Sequence, residues 1–230
     1  AARSRGLRVG ENPARWRGHL ENLLSRHEKK KARKRVHHPA LAWQDLPELM
    51  QALRNLPTSV SIAAQFLILT GARSHMVRFA QWDEFDLESG RWSLPAERMK
   101  SREPFAIPLA PEVVELVKTL PRIRVRSPYL FPGNGLSGVM HANGIRSLLH
   151  ELGYEHITRH GFRSTFRDWA GETTAFPREI CELALAHDER GETESAYSRS
   201  DFFDKRRELM SAWAKYATSS TKQKPGDADT

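Results

Sequence analysis

One segment of the chain has the alternating polarity of β-strands, and this limits the folds that the whole chain can adopt. Residues 82–110, WDEFDLESGRWSLPAERMKSREPFAIPLA, alternate in polarity around SG and again around KSRE. Alternation with a period of two, interrupted at turn-forming residues, is typical of short strands joined by hairpins. The segment therefore predicts three short antiparallel strands, and the fold class is mainly α with one small three-stranded antiparallel sheet.

The other segments of the main domain carry the apolar spacing of helices. The stretch SIAAQFLILTGA predicts a buried helix over 59–70 that stops at Gly71, and Asp45 close before Pro47 is typical of another helix start. Pro111 opens a further helix that runs to Leu120. More helices are expected at about 141–152, 160–171, 177–186 and 200–217.

The last of these helices carries a set of large apolar side chains. They can pack within their own domain or against a neighbouring copy of the chain, and the spacing leaves both alternatives open. The side chains are Phe202, Phe203, Met210 and Trp213.

The N-terminal 38 residues differ from the rest in charge. They hold 12 Lys/Arg against 3 Asp/Glu, a net charge of +9, whereas the remaining residues carry a net −1. The excess culminates in HEKKKARKRVHH at residues 27–38. Such a run is typical of a solvated linker, and it also attracts nucleic acid, whose counterions it displaces.

Length and composition fit one well-buried domain with a smaller appendage, at 230 residues, 39% hydrophobic and 28% charged. The sequence has no run of about 18 apolar residues and no signal-peptide pattern, so we expect no membrane span and a cytoplasmic protein. The single cysteine, Cys181, excludes an internal disulfide framework. Since the chain begins at Ala1 and its first methionine is Met50, we expect it to be a piece of a longer protein.

Several short motifs contain residues that can carry chemistry, although each has a commoner structural explanation. Arg73 follows a glycine at a helix end, and Lys100 lies at a hairpin turn, where such side chains are usually exposed. His187 ends an apolar helix, and Tyr197 would ordinarily be a half-buried packing residue. The motifs are TGARSHMVR, ERMKSRE, TRHGFR, LALAH and ESAYSRS.

Taken together, these residues suit reaction at a phosphodiester. Arg73 and Arg163 can each offer a fork of donors to the non-bridging oxygens and stabilise the charge of a pentacoordinate transition state. Asp83, Glu84 and Asp86 lie in strand-like sequence and form no tight acidic cluster, which disfavours a magnesium-dependent nuclease.

The same set supplies a nucleophile and the proton transfers that it needs. Tyr197 can attack phosphorus, with His160 as a base or hydrogen-bonding partner. His160 lies three residues before Arg163, so the two share one helix face. Lys100 can protonate the leaving 5′ oxygen as general acid, and His187 can donate a further hydrogen bond to the phosphate. A phosphotyrosyl ester keeps the bond energy, so neither ATP nor another cofactor is expected.

The order Arg, Lys, His-x-x-Arg, His, Tyr at these spacings resembles the tyrosine recombinase (phage integrase) family. The matching motifs are TG-x-R, the lysine of ERMK, RHGFRSTF, LAH and the tyrosine ten residues after that histidine. WDEFDLESGRWSLPAERMK and AYSRSDFFDKRRELMSAWAKY look like the integrases of prophages and genomic islands. One departure is Met76, where the family commonly has glutamate three residues after the first arginine.

The resemblance also implies an organisation and partners. Residues 1–27 look like the C-terminal remnant of a core-binding domain, 28–38 a basic interdomain linker, 39–218 the catalytic domain, and 219–230 a disordered tail. The family implies double-stranded DNA attachment sites, a homotetramer on two sites, an accessory DNA-bending protein and a bacterial, nucleoid-associated location. The linker residues expected to contact DNA phosphates are Lys29, Lys30, Lys31, Arg33, Lys34 and Arg35.

The resemblance implies a recombinase that cleaves and rejoins DNA through a 3′-phosphotyrosyl intermediate and integrates or excises a mobile element. Two alternatives share part of this pattern. A type IB topoisomerase-like enzyme would nick and rejoin one duplex with the same chemistry. A catalytically silent protein would only occupy its DNA site, an alternative supported by Met76 and the truncated start.

Overall fold

The computed structural model describes residues 39–99, 102–121, 127–187 and 201–220, which lie in one compact unit beginning at His38. These ranges contain eight α-helices and three short strands. The helices are α1 Leu46–Arg54, α2 Ser59–Thr70, α3 Ser74–Arg78, α4 Pro111–Lys118, α5 Gly144–Glu151, α6 Gly161–Thr173, α7 Arg178–Ala184 and α8 Phe203–Ala217. The strands are β1 Phe85–Asp86, β2 Arg91–Leu94 and β3 Phe105–Pro108.

Helix α2 is the central helix of the core. Its first turn is capped by Thr58, whose hydroxyl accepts the amide of Ser61 at 3.1 Å. It ends at Gly71, which adopts the left-handed conformation with φ 60°. Nearly every side chain between these caps is buried, including Phe66, whose ring contacts that of Trp92 in the sheet at a centroid distance of 5.2 Å.

The three strands form an antiparallel sheet in chain order, as the alternating segment predicts. Trp92 at the centre of β2 pairs with Phe85 on β1 and Ile107 on β3. The Trp92 ring is fully buried and stacks on Phe85 at 5.3 Å, so one face of the sheet closes over α2. The connection from β2 to β3 contains the predicted Lys100.

Helix α8 packs into the core of its own domain. Trp213 is fully buried and donates its indole N–H to the carbonyl of Ile68 at 2.9 Å. Its ring packs against Phe166 and Trp169 of α6 at 5.3 and 5.0 Å. Met210 is 1% exposed in the same core. Of the two alternatives for these side chains, the structure shows packing within the domain for Met210 and Trp213.

The start of the described chain fixes the start of α6. The carbonyl of Pro39 accepts the amide of Thr158 at 3.1 Å, and the carbonyl of Leu41 accepts the hydroxyl of Thr165 at 2.7 Å. Between these contacts the backbones are so close that a Cβ added at Gly161 would lie 2.1 Å from the carbonyl oxygen of Pro39. Only glycine permits this approach, which sets where α6 begins.

The helices predicted for residues 39–218 are confirmed, with three differences. The helix expected from about residue 141 starts at Gly144, because the amide of Asn143 donates to Nδ1 of His141 at 3.2 Å and forms a turn first. The helix expected from 200 starts at Phe203, after Phe202 takes a positive φ of 49°. Helix α3 was not predicted, since five residues are too short to show a period.

The predicted helical piece at 11–27, the linker and the C-terminal tail from 221 onward lie outside the described residues. No helix in the described ranges is long and apolar enough to span a membrane.

Candidate active site

Helix α6 carries two of the predicted catalytic residues at its start. His160 immediately precedes the first helical residue, and its side chain is exposed. Arg163 lies three positions later and is only 4% exposed. Residues three apart on a helix share a face, so an exposed imidazole and a buried guanidinium are directed to the same side of α6.

The guanidinium of Arg163 is held by backbone carbonyls of two other elements. Nη1 donates to the carbonyl of Gly71 at 2.6 Å, and Nη2 donates to the carbonyl of Leu185 at 2.5 Å. A Cβ at Gly71 would lie 2.9 Å from Cδ2 of Leu185, so the glycine also brings the end of α2 close to the end of α7. Neutral carbonyls thus orient the guanidinium, and no ion pair among the described residues does so.

The end of α7 is closed by a Schellman turn that places His187. The amide of Ala186 donates to the carbonyl of Leu183 at 3.0 Å, and the amide of His187 donates to the carbonyl of Glu182 at 2.9 Å. Ala186 takes the left-handed conformation with φ 52° that this turn requires. The chain therefore leaves the helix with His187 at a fixed position and with the Leu185 carbonyl turned toward Arg163.

Arg73 approaches the same turn from the start of α3. It is half-buried, and Nη2 lies 3.4 Å from the carbonyl oxygen of Ala186, a long hydrogen bond next to the carbonyl that Arg163 uses. Among the ion pairs of the described residues, none involves Arg73 or Arg163. Two guanidinium groups are therefore held together by carbonyls, an arrangement suited to an anion.

The imidazole of His187 lies between a cation and an anion. Nε2 is 2.8 Å from Nη2 of Arg163, and Nδ1 is 3.0 Å from Oε2 of Glu182. Because a guanidinium only donates, Nε2 is the acceptor of this pair. Nδ1 then carries the hydrogen and donates it to the carboxylate.

Glu182 is 3% exposed, so its charge is stabilised by neighbours and not by water. Oε1 lies 2.6 Å from Nη2 of Arg167, in an orientation that makes an ion pair but no aligned hydrogen bond. Arg178 is more distant, at 3.9 Å from Oε1. The carboxylate thus joins α6 to α7 and directs its other oxygen at His187.

Burial lowers the pKa of all three side chains in the cluster, Arg73, Arg163 and His187, which suits the cluster to an anion. Burial, reinforced by the charge of Arg73, lowers the pKa of Arg163 to about 9, so the side chain is still charged at neutral pH. Burial also lowers the pKa of His187, with the charges of Arg163 and Arg73 adding to the effect and Glu182 opposing it. A bound phosphate would favour the charged forms of Arg73, Arg163 and His187.

A second group of arginines lies around the loop that precedes α5. Nε of Arg78 donates to the carbonyl of Met140 at 2.9 Å, and Arg159 donates to the carbonyl of Ala142. Burial and the charges of Arg78 and Arg146 lower the pKa of Arg159, so these guanidinium groups are close enough to repel one another. Arg159 directly precedes His160, which extends the positive potential beyond the cluster of Arg73 and Arg163.

The structure brings Arg73, Arg163 and His187 together and sets His160 at the start of the helix that carries Arg163. The other predicted site residues lie outside the described ranges. They are Lys100, Tyr197, Lys29, Lys30, Lys31, Arg33, Lys34 and Arg35.

Met76 packs in the core at 1% exposure, so no carboxylate supports Arg73 from the position where the family commonly has glutamate. Its carbonyl accepts Nη2 of Arg98 at 2.6 Å, and Arg98 also pairs with Glu84. Glu84 is therefore a structural anchor of the sheet region. In the described part of the chain, no three His, Cys, Asp or Glu side chains are grouped as metal ligands.

Sequence reasoning missed Glu182, Arg167 and the carbonyl acceptors of the site. Every residue has a backbone carbonyl, so the residue types do not show which carbonyls are the acceptors. Glu182 does leave a signal, since it is a lone charge in the apolar run ICELALAH. An acid on the buried face of a helix needs a partner, and here the partners are His187 and Arg167.

This mostly helical fold, with the order of its arginines and histidines, is the one expected of the tyrosine recombinase class. The chain belongs to the phage integrase family, whose model matches residues 40–203. It is 34% identical to the integrase of Enterobacteria phage P4 over 199 residues, which cover 78% of this chain and 45% of that protein. It is 31% identical to the prophage integrase IntZ of Escherichia coli K12 over 186 residues, covering 80% of this chain and 46% of that protein.

Among solved structures, the integrase from mycobacterium phage Brujita has a similar fold, with a TM-score of 0.58 at 20% identity. The match covers 82% of this chain and 62% of that one. The chain spans about half the length of the curated relatives it matches.

Proposed function

We propose that this chain is the catalytic part of a site-specific DNA recombinase that integrates or excises a mobile element. Family membership supports the reaction class. The observation that carries the proposal is the convergence of Arg73, Arg163 and His187 on one turn, with no carboxylate paired to either arginine in the described residues. A scissile phosphate fits this cluster in charge and in donor geometry.

In the proposed reaction the phenolic oxygen of Tyr197 attacks phosphorus and gives up its proton to His160. The bond from phosphorus to the 5′ oxygen breaks, and Lys100 protonates that oxygen as it leaves. Arg73 and Arg163 stabilise the charge on the non-bridging oxygens, and His187 adds a hydrogen bond. The products are a 3′-phosphotyrosyl ester and a free 5′ hydroxyl.

Rejoining reverses these steps with the 5′ hydroxyl of a partner strand as nucleophile. The phosphotyrosyl bond conserves the energy of the broken linkage, so no external energy source enters the scheme. The duplex attachment sites, a homotetramer on two of them and an accessory DNA-bending protein belong to the same proposal. The arginines around residues 140–142 and the basic linker would contribute phosphate contacts.

The test is covalent trapping on nicked duplexes that carry candidate attachment sites. Wild type and Tyr197→Phe are compared on a denaturing gel, in the presence of chelator and without magnesium. The expected result is a slow-migrating adduct that is absent from the Phe variant. A second experiment supplies two duplexes and scores recombinant products, which a topoisomerase-like enzyme does not form.

Absence of an adduct is followed up in a longer protein of the length that the relatives have. If that protein binds its DNA and still forms no adduct, the proposal is wrong and a silent site-binding protein is the better description. The relatives reported above are integrases, so neither that alternative nor the topoisomerase is favoured.

A further inference from the structure

We propose that Glu182 is a positioning residue that holds the His187 ring in one tautomer and presents its Nε2 to the phosphate site. For its consequence in catalysis this inference rests on the proposed function. Glu182 lies outside the predicted site and contacts the cluster only through His187. Its carboxylate is 3.0 Å from Nδ1, and its carbonyl holds the backbone amide of the same histidine at 2.9 Å.

The two contacts fix both the place and the orientation of the ring. The backbone bond belongs to the Schellman turn and sets where His187 leaves α7. The side-chain bond selects the form with hydrogen on Nδ1, because a carboxylate accepts and does not donate. Nε2 is then the nitrogen that faces Arg163, at 2.8 Å from Nη2.

In the structure, Nε2 accepts a hydrogen bond from Arg163. When a phosphate oxygen takes that donor, a neutral Nε2 would turn its lone pair toward an anion, which is repulsive. The ring instead takes a proton from solvent and becomes an imidazolium that donates through Nε2. Glu182 supports this form, since its charge already faces the opposite nitrogen.

Among the described residues, the charged groups that act on the ring lie on α6, on α7 and just before α3. Arg163 on α6 and Arg73 before α3 oppose protonation of His187, and Glu182 on α7 favours it. Arg167 on α6 and Arg178 on α7 face Glu182 from its other oxygen. Arg167 therefore competes with His187 for the same carboxylate. Replacing Arg167 should change the pKa of His187 in the direction opposite to that caused by replacing Glu182.

The experiment compares two charge-neutralising changes in the full chain, the isosteric Glu182→Gln and Arg167→Gln. Nitrogen shifts of the His187 ring, assigned with His187→Asn, report its tautomer and its pKa in the free protein. Glu182→Gln should lower that pKa, because the favourable charge is lost. Arg167→Gln should raise it, because the Glu182 charge is no longer shared with a cation. Thermal unfolding of each variant controls for damage to the fold.

The second readout is the rate of adduct formation as a function of pH. Glu182→Gln should cut the rate roughly tenfold to a hundredfold near neutral pH, as loss of a supporting partner does at other sites. The alkaline limb of its profile should shift to lower pH, and that of Arg167→Gln to higher pH. A purely structural role would lower stability in either variant without moving the two limbs in opposite directions.

An unchanged His187 pKa in Glu182→Gln, or a mixed tautomer in the wild-type protein, overturns the positioning role. A changed pKa with an unshifted rate profile overturns its part in the reaction. The ring measurement needs no DNA, so it succeeds or fails independently of whether wild type forms an adduct.

Discussion

Gly161 is the residue whose replacement most directly tests how α6 is placed. A methyl group there would meet the carbonyl oxygen of Pro39 at 2.1 Å and Cα of Ala40 at 2.9 Å. These are backbone atoms, so relief requires a shift of the helix or of the chain at residues 39–41. We expect Gly161→Ala to destabilise the domain by about 2–4 kcal/mol, by analogy with overpacked cores, and to weaken adduct formation.

Gly171 is a matched control for Gly161 in the same helix. A Cβ there meets no atom within 4 Å, so only helix propensity is changed. Gly171→Ala should stabilise the protein by up to about 1 kcal/mol. Chemical denaturation of both variants measures the difference, and equal effects would mean that the contact with Pro39 does not constrain α6.

Ala186 offers a second test at the scale of one residue. Its φ of 52° is favourable for glycine and strained for alanine. Ala186→Gly should therefore leave the Schellman turn in place and stabilise the protein by roughly 0.5–1 kcal/mol, less the entropy that glycine adds to the unfolded chain. Ala186→Val should destabilise it and reduce adduct formation, since β-branching disfavours this conformation further. Thermal unfolding of the two variants distinguishes the effect of backbone strain from the effect of removing the side chain.

Helix α8 is held against the sheet by one buried side chain, Arg206. It is fully buried and donates to the carbonyls of Asp201 and Ala106, each at 2.7 Å, and to a carboxylate oxygen of Asp201 at 2.9 Å. Its guanidinium also lies over the rings of Phe105 and Phe203, at 4.9 and 5.5 Å. One residue thus joins α8, Asp201 two residues before the helix, and β3.

Replacing Arg206 with methionine keeps much of the volume and removes every donor. Because the Ala106 carbonyl would lose its partner, we expect a loss of about 2–4 kcal/mol in the free energy of unfolding. Arg207→Met is the neighbouring control, since that arginine pairs at 2.8 Å with Asp204, whose side chain is 86% exposed. That change should cost only about 0–1 kcal/mol. Urea denaturation that finds equal losses would contradict the anchoring role of Arg206.

At the level of elements, the sequence pattern predicts the helices and strands that short-range interactions determine. The caps of α2 and the strand alternation are short-range features, so the helix ending at Gly71 and the three-stranded sheet are both predicted from sequence. Helix α3 is missed because its five residues are fixed by their neighbours. The late start of α5 depends on the bond from the Asn143 amide to the ring of His141, which periodicity does not register.

At the level of the whole molecule, spacing alone cannot assemble the site. Arg73, Arg163 and His187 are far apart in sequence, and resemblance to a family, not periodicity, predicts that they belong together. The structure brings these three together through the carbonyls of Gly71, Leu185 and Ala186. Those acceptors are chosen by backbone conformation, so no pattern of residue types reveals them.

The charge distribution of the chain provides the last prediction. Residues 1–38 carry a net charge of +9, and the rest carries −1, so long-range attraction to DNA should come mainly from the basic linker. Each phosphate contact that is lost lowers the slope of log affinity against log salt by about 0.9. Lys29→Gln with Lys30→Gln should therefore reduce the slope by nearly two and weaken binding to specific and random duplexes alike.

The matched control neutralises the same number of charges in the C-terminal tail, with Lys222→Gln and Lys224→Gln. Binding is measured by fluorescence anisotropy over a series of salt concentrations, with one attachment-site duplex and one scrambled duplex. The tail variant should keep the wild-type slope, because the phosphate contacts are expected from the linker. Equal slopes in all three proteins would instead assign them to the catalytic domain, where Arg78, Arg146 and Arg159 already concentrate positive charge.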